Sequence, residues 1–274
     1  MQDPSKPIWV NKEESLSEKK PIIFVATPVH SECSIHFTQA LLSFQQRCAQ
    51  ERVGVSFALL KSSLVTQGRN LCVSNFMEES KKVPYTHFLF VDSDIEFNAE
   101  TIFSMVKADK EVIAAPYPLK SIDWQKIHKR MNPEMTPELL SKMGFTWPIK
   151  LENKEHISVK QHVMEVSHAP TGCMLIQKNV FEKMIEAYPS LKINQPTIIN
   201  GEGSNKPFYY NFFDTYHDPE NKRYYGEDFG FCKRWTEIGG KCHLYVGDDI
   251  THIGEYRYTG NLYTDMKHNL KKID

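Results

Sequence analysis

Two carboxylates one residue apart, Asp92 and Asp94, follow directly on the apolar run Leu89-Phe90-Val91. In a parallel sheet, ligands gather at the carboxyl ends of strands, above all where the strand order reverses. Two acids there make a negative spot that attracts a cation. Mg²⁺ or Mn²⁺ suits oxygen ligands and can bridge to a diphosphate. Asp and Ser are also ordinary turn formers, so the reading depends on the tripeptide's place after a buried strand. A second acidic pair, Glu227-Asp228, opens a stretch in which Phe229, Cys232, Trp235 and Ile238 recur at spacings of three. That spacing predicts a helix with one buried face, and acids in a first turn are favoured by free N–H groups and the helix dipole. Beyond capping, a carboxylate fixed at a helix start could act as a general base on an acceptor hydroxyl. His252, in Thr251-His252-Ile253-Gly254, has a structural reading, and it could also complete a metal site made by carboxylates. Arg69, in Gly68-Arg69-Asn70, is expected to open the second helix, where a guanidinium could receive a nucleotide or another anion. A surface arginine is the plainer alternative. Thr27-Pro28 ends the first strand and would share that sheet edge.

The elements that must position these residues alternate. Pro21–Thr27, Val53–Leu60, Thr86–Val91 and Glu111–Ala115 read as short buried strands. Ser34–Gln50, Asn70–Ser80 and Ala99–Asp109 read as the helices between them. This order predicts an α/β fold with a mostly parallel sheet flanked by helices. After Pro116-Tyr117-Pro118 a polar excursion runs over 121–165, with Trp124 and Trp147 as isolated aromatics. Regularity returns at Val163–Ser167, Gly172–Gln177 and the helix Val180–Tyr188. The stretch Gln195–Arg223, rich in Asn, Gly, Pro and aromatics, reads as a long functional or flexible loop. A helix over Glu227–Ile238 is stopped by Gly239-Gly240, and Lys241–Val246 is a last strand. The division expected is a flexible leader over 1–20 and a single domain over 21–274. Within it, 21–118 would be one half, carrying Thr27, Arg69, Asp92 and Asp94 as candidate nucleotide- and cation-facing residues, and 119–274 the other half with a C-terminal tail.

Composition sets the limits. The chain has 274 residues, 41% apolar and 24% charged, with a formal net charge of -1, so no polyanionic partner such as nucleic acid is expected. No stretch approaches the roughly 20 apolar residues of a membrane span, and the polar start lacks a signal-peptide core. A cytoplasmic location follows as the expectation. The six cysteines form no C-x-x-C pair and several lie in apolar runs, which points to reduced, buried thiols.

In their order along the chain, these pieces resemble the GT-A (Rossmann-like) glycosyltransferases over roughly Pro21 to Gly260. FVATPVH resembles the first nucleotide-binding strand, QGRN the Arg-Asn step, and FLFVDSDIEF the D-x-D strand. HAPTGCMLIQKNVFEKM resembles the segment that floors the acceptor side. YYGEDFGFCKRWTEIGGKCHLYVGDDITHIGEYRYTG resembles the acidic helix and the later metal-ligand histidine, with Thr251 where that pattern carries a first glycine. More narrowly, the chain is similar to small chlorovirus-encoded transferases that build capsid glycans, a xylosyltransferase among them.

The resemblance implies a metal held by Asp94 and His252, with Asp92 contacting it or the ribose. It implies a donor, best matched by UDP-xylose, held by Thr27, Pro28, Arg69, Asp92, Ser93 and Lys120. Glu227, Thr171 and Gly172 would position a glycan acceptor, and Asp228 would be the base of an inverting transfer. The aromatic loop and the Trp124 region would shape the acceptor site. Three competing functions remain open. A nucleotidyltransferase would carry a Gly-rich phosphate loop, and 26–34 holds no glycine. A non-catalytic sugar-binding module would not need Asp92, Asp94, Asp228 and His252 together. A metal-dependent hydrolase would turn over donor without acceptor.

Overall fold

The computed structural model describes residues 20–151, 157–199, 202–256 and 261–262. The expected leader, apart from Lys20, and most of the tail lie outside the described residues. The first half alternates as the sequence predicts: β1 (Ile22–Val29), α1 (Ile35–Glu51), β2 (Gly54–Lys61), α2 (Val65–Glu79) and β3 (His87–Val91). A two-residue strand β4 (Ile95–Glu96) follows, then α3 (Ala99–Lys107) and β5 (Val112–Ala114). The excursion contains two short helices, α4 (Trp124–Arg130) and α5 (Pro137–Ser141), before β6 (Val163–Val166), β7 (Cys173–Gln177) and α6 (Lys178–Ala187). Two small hairpins, β8 (Thr197–Ile199) with β9 (Glu202–Ser204) and β10 (Tyr216–Asp218) with β11 (Arg223–Tyr225), lead to α7 (Glu227–Glu237). The last strands are β12 (Cys242–Tyr245) and β13 (Thr251–His252).

The main sheet has seven strands in the order β2-β1-β3-β7-β5-β12-β6. Five of them, β1, β2, β3, β5 and β12, run the same way. β7 lies antiparallel between β3 and β5, and β6 lies antiparallel on the edge beside β12. The fold is thus α/β with a mostly parallel sheet flanked by helices. A buried apolar run reads the same in either direction, which is why Cys173-Met174-Leu175-Ile176 does not announce its reversal.

Side-chain alternation along the strands splits the core in two. Phe24, Ala26, Phe88 and Phe90 face one layer with Phe76, Phe181, Phe231 and Trp235. Ile23, Val25, Leu89 and Val91 face the other with Phe37, Phe44 and Ile102. Helix α1 begins where Ser34 caps it, its hydroxyl accepting from the Phe37 N–H at 3.0 Å. The buried face is Phe37, Ala40, Phe44 and Cys48, whereas Ile35 and Leu42 point outward. No helix among the described residues is long and apolar enough to cross a membrane.

Two expectations change. Helix α2 starts at Val65 rather than Asn70. Gly68 looks like a break in the sequence, yet it sits inside the first turns. A Cβ there would lie 3.0 Å from the Ser62 Cβ and 3.3 Å from the Pro28 Cβ, so the glycine lets α2 pack close to the end of β1. Most of the aromatic loop serves the core rather than an open face, because Tyr209, Tyr210, Phe212 and Phe213 are buried, with Phe208 and Tyr216 half-buried. Phe213 stacks on Phe231 with centroids 4.5 Å apart and meets Phe90 edge-on. Buried Asn70 holds this loop: its amide donates to the Phe213 carbonyl and its oxygen accepts from the Phe213 N–H. Asn70 answers two buried backbone groups that would otherwise lack partners.

Candidate active site

The Asp92–Ile95 turn closes on itself, the Ile95 N–H donating to the Asp92 carbonyl at 3.0 Å. Turn chemistry and site chemistry therefore coexist in Asp-Ser-Asp. The Asp92 N–H donates to the Gly172 carbonyl, and the Ser93 carbonyl accepts from Ser34, tying the turn to β7 and to the start of α1.

The two aspartates face different partners. Both oxygens of Asp92 accept from Arg69, Nη1 and Nη2 each at 2.9 Å. Arg69 Nε donates to Glu227 Oε1 at 3.0 Å, and the guanidinium lies over the Phe90 ring at 5.0 Å. Arg69 is only 2% exposed. It does not open a helix toward an anion; it is inside α2 and is consumed by two carboxylates. Burial opposes its charge, but Asp92 and Glu227 outweigh that and hold it protonated.

Asp94 faces the other way. Its Oδ2 lies 2.5 Å from Lys120 Nζ and 3.4 Å from His252 Nε2. Pairing of β13 with β4 makes this possible: His252 stands opposite Ile95, and the Ile253 N–H donates to the Asp94 carbonyl. His252 Nδ1 is 2.9 Å from the Pro118 carbonyl, which fixes the proton on that nitrogen and turns Nε2 toward Asp94. Burial pushes the Asp94 carboxyl up, but the bonds from His252 and Lys120 win and bring it down to about 2. Gly254 leaves room for the Lys120 stem, which a Cβ would meet at 2.6 Å.

Asp228, in the first turn of α7, behaves oppositely. Burial and the neighbouring Glu227 charge raise it to about 6, against smaller lowering effects from the Phe229 N–H and Arg69. Thr171 and Gly172 are both buried; a Cβ on Gly172 would lie 2.5 Å from the Tyr117 ring. Thr27 is buried near the end of β1, its hydroxyl without a hydrogen-bond partner among the described residues, and Pro28 is half-buried beside it.

Tyr117 is the site residue that the sequence reading missed. Its ring fills the space over Gly172 and meets His252 edge-on at 5.0 Å. Burial and the Asp92 charge both raise its phenol. The one available signal was an aromatic residue held between two prolines directly after a strand. Of the excursion's aromatics, Trp124 is 61% exposed and stands apart, while Phe145 and Trp147, with Tyr256 from beyond β13, line a cleft of about 600 Å³ beside Lys120 and His252.

No protein-family model matches the chain, and no curated protein matches it. Among solved structures it is similar to A197 from STIV, with a TM-score of 0.45 and 13% identity over 85% of this chain and 86% of that one. It is also similar to a glycosyltransferase involved in the glycosylation of the major capsid of PBCV-1. There the TM-score is 0.31 and the identity 12%, over 61% of this chain and 66% of that one. Likeness at this level assigns no reaction, so the functional reading stands on the side chains of the site.

Proposed function

We propose that this chain is a metal-dependent, inverting glycosyltransferase that moves a sugar from a nucleotide sugar to a glycan hydroxyl. The observation that carries the reading is the Asp94–His252 pair. With Nδ1 committed to the Pro118 carbonyl, Nε2 of His252 and Oδ2 of Asp94 are turned toward each other 3.4 Å apart. Such a pair fits neighbouring ligands of a six-coordinate cation, which stand about 3 Å apart when each bond is about 2.1 Å. Among the described residues no group of three or more His, Cys, Asp or Glu converges on a metal position. A two-ligand site of this kind suits Mg²⁺ or Mn²⁺, which completes its shell with phosphate oxygens and water. When bound, the ion would stabilise charge on a departing diphosphate.

The chain's own groups do the rest. Lys120, beside Asp94, adds positive charge where the diphosphate would lie. Thr27, Pro28 and Ser93 border the strand ends where the nucleotide would sit, and Glu227 is held in place by Arg69. Asp228 takes the acceptor's proton as the acceptor oxygen bonds to the anomeric carbon. The bond from that carbon to the diphosphate breaks on the opposite face, and the diphosphate leaves with the electron pair. This is a single displacement, hence inversion. The finer reading, xylose from UDP-xylose in capsid-glycan assembly in a host cytoplasm, rests on the sequence resemblance alone.

Calorimetry of a nucleotide-sugar panel that includes UDP-xylose, with and without Mn²⁺, tests the reading. One donor should bind only with metal, and Asp94→Ala should abolish that metal dependence. Mn²⁺-dependent donor binding by the variant, unchanged from the wild type, would sink the metal role. Net retention in the product anomer, read by NMR, would sink the assignment of Asp228.

A further inference from the structure

A second cleft, of about 660 Å³, lies at the β6 edge of the sheet beside the carboxyl end of α3. Lys107 and Lys110 line it from the α3 side, Lys160 and His162 from the turn before β6, and His243 and Tyr245 from β12. Its charge balance is uneven. The one carboxylate in its wall, Glu165, is paired with Lys241 at 2.9 Å. Nearby Glu111 is paired with Lys183 at 2.6 Å, and Asp109 accepts from Gln177. The ammonium groups of Lys107, Lys110 and Lys160 have no ion-pair or hydrogen-bond partner among the described residues. Among the described residues, three ammonium groups thus share one concave surface whose one wall carboxylate is already paired, an arrangement that concentrates anions.

The wall is also shaped at a cost. Lys160 and Val163 exchange both backbone hydrogen bonds across a two-residue turn, and Gln161 and His162 both have positive φ, 50° and 62°. Such turns ordinarily use Asn or Gly, and a bulkier residue held there costs about 1 kcal/mol or more. Here the costly positions carry side chains that line the cleft. Gly247 adds to the fit: a Cβ there would lie 2.5 Å from the Tyr245 hydroxyl and 3.1 Å from the His162 ring. Burial and the Lys110 charge lower His243, with the Val112 carbonyl opposing, so its imidazole is neutral near pH 7. Neutral imidazole, phenol and amide groups bind hydroxyls, while the lysines bind an oxyanion.

We propose that this cleft is a second ligand site that takes a saccharide bearing a phosphate or sulfate ester. The ester oxygens would meet Lys107, Lys110 and Lys160, and the sugar hydroxyls His162, Gln161 and Tyr245. The site owes nothing to Asp94, His252 or Asp228.

The test is calorimetry on the full chain with glucose 6-phosphate, glucose 6-sulfate, glucose and inorganic phosphate. Both esters should bind, glucose should not, and inorganic phosphate should bind more weakly than either ester. Lys110→Glu and Lys160→Glu should each weaken the esters by roughly fivefold or more. Asp94→Ala should leave ester binding unchanged, which separates this site from the candidate active site. Binding of one ester alone would identify which oxyanion is used. Absence of ester binding, equal binding by the charge-reversed variants, or loss in Asp94→Ala alone would each overturn the proposal. Inorganic phosphate binding as tightly as the esters would overturn the saccharide part.

Discussion

Asp92 and Asp94 stand two positions apart in the chain and serve different partners. Asp92 gives both oxygens to buried Arg69, while Asp94 meets Lys120 and His252. Asp228 shows the same dependence on surroundings. It is raised from an ordinary 3.8 to about 6. A base must be deprotonated, so turnover should fall as pH drops through about 6, and Asp228→Asn should lose about 10²–10⁴ in rate. The stability effect has the opposite sense. A carboxyl whose folded pKa is raised holds its proton more tightly when folded. Its stabilisation is present below about 4 and is lost as pH rises through about 6. Asp228→Asn should therefore be more stable than the wild type above pH 6, by on the order of 1–2 kcal/mol, and should keep donor affinity. Thermal melts across pH check this; a variant less stable than the wild type at pH 7 would contradict it.

Short elements decide the site's geometry. The two-residue ladder between β4 and β13 carries His252 across the chain to Asp94, and no long strand is involved. Helix α7 must likewise sit close to the aromatic loop for Glu227 to reach Arg69. Gly230 permits that approach, since a Cβ there would be 2.2 Å from the Asp214 carbonyl oxygen. The obstacle is backbone and cannot rotate away. Gly230→Ala should cost about 1–3 kcal/mol and shift α7, lowering activity along with the urea midpoint. An unchanged midpoint would show that the loop yields freely.

Across the whole molecule, the two core layers explain the cysteines. All six are free, and Cys48, Cys72, Cys173, Cys232 and Cys242 are buried, leaving Cys33 half-exposed. Burial raises Cys48 to about 11 and Cys72 and Cys173 to about 12, the last two with smaller contributions from nearby charges. Ellman titration of the native chain should find at most one fast thiol, and six after unfolding. Several fast thiols in the native state would mean that the layers open readily.

The strands around Val25, Phe57, Leu89 and Ile113 were legible in the sequence because a buried strand needs a short apolar run whatever surrounds it. The chemical types at 92, 94, 228 and 252 were legible for a similar reason, since carboxylates and imidazole carry their chemistry with them. Partnership was not legible. That Arg69 closes on Asp92 and Glu227, 158 positions from the latter, depends on packing α2 against α7. The reversal of β7 and the burial of Phe212 and Phe213 depend on which neighbours the chain meets. Residue type and local period set the elements and the available chemistry. Long-range packing decided which carboxylate is paired with arginine, which is lowered and which is raised, because the Arg69, Lys120 and His252 partners and the burial of Asp228 are all brought from distant segments.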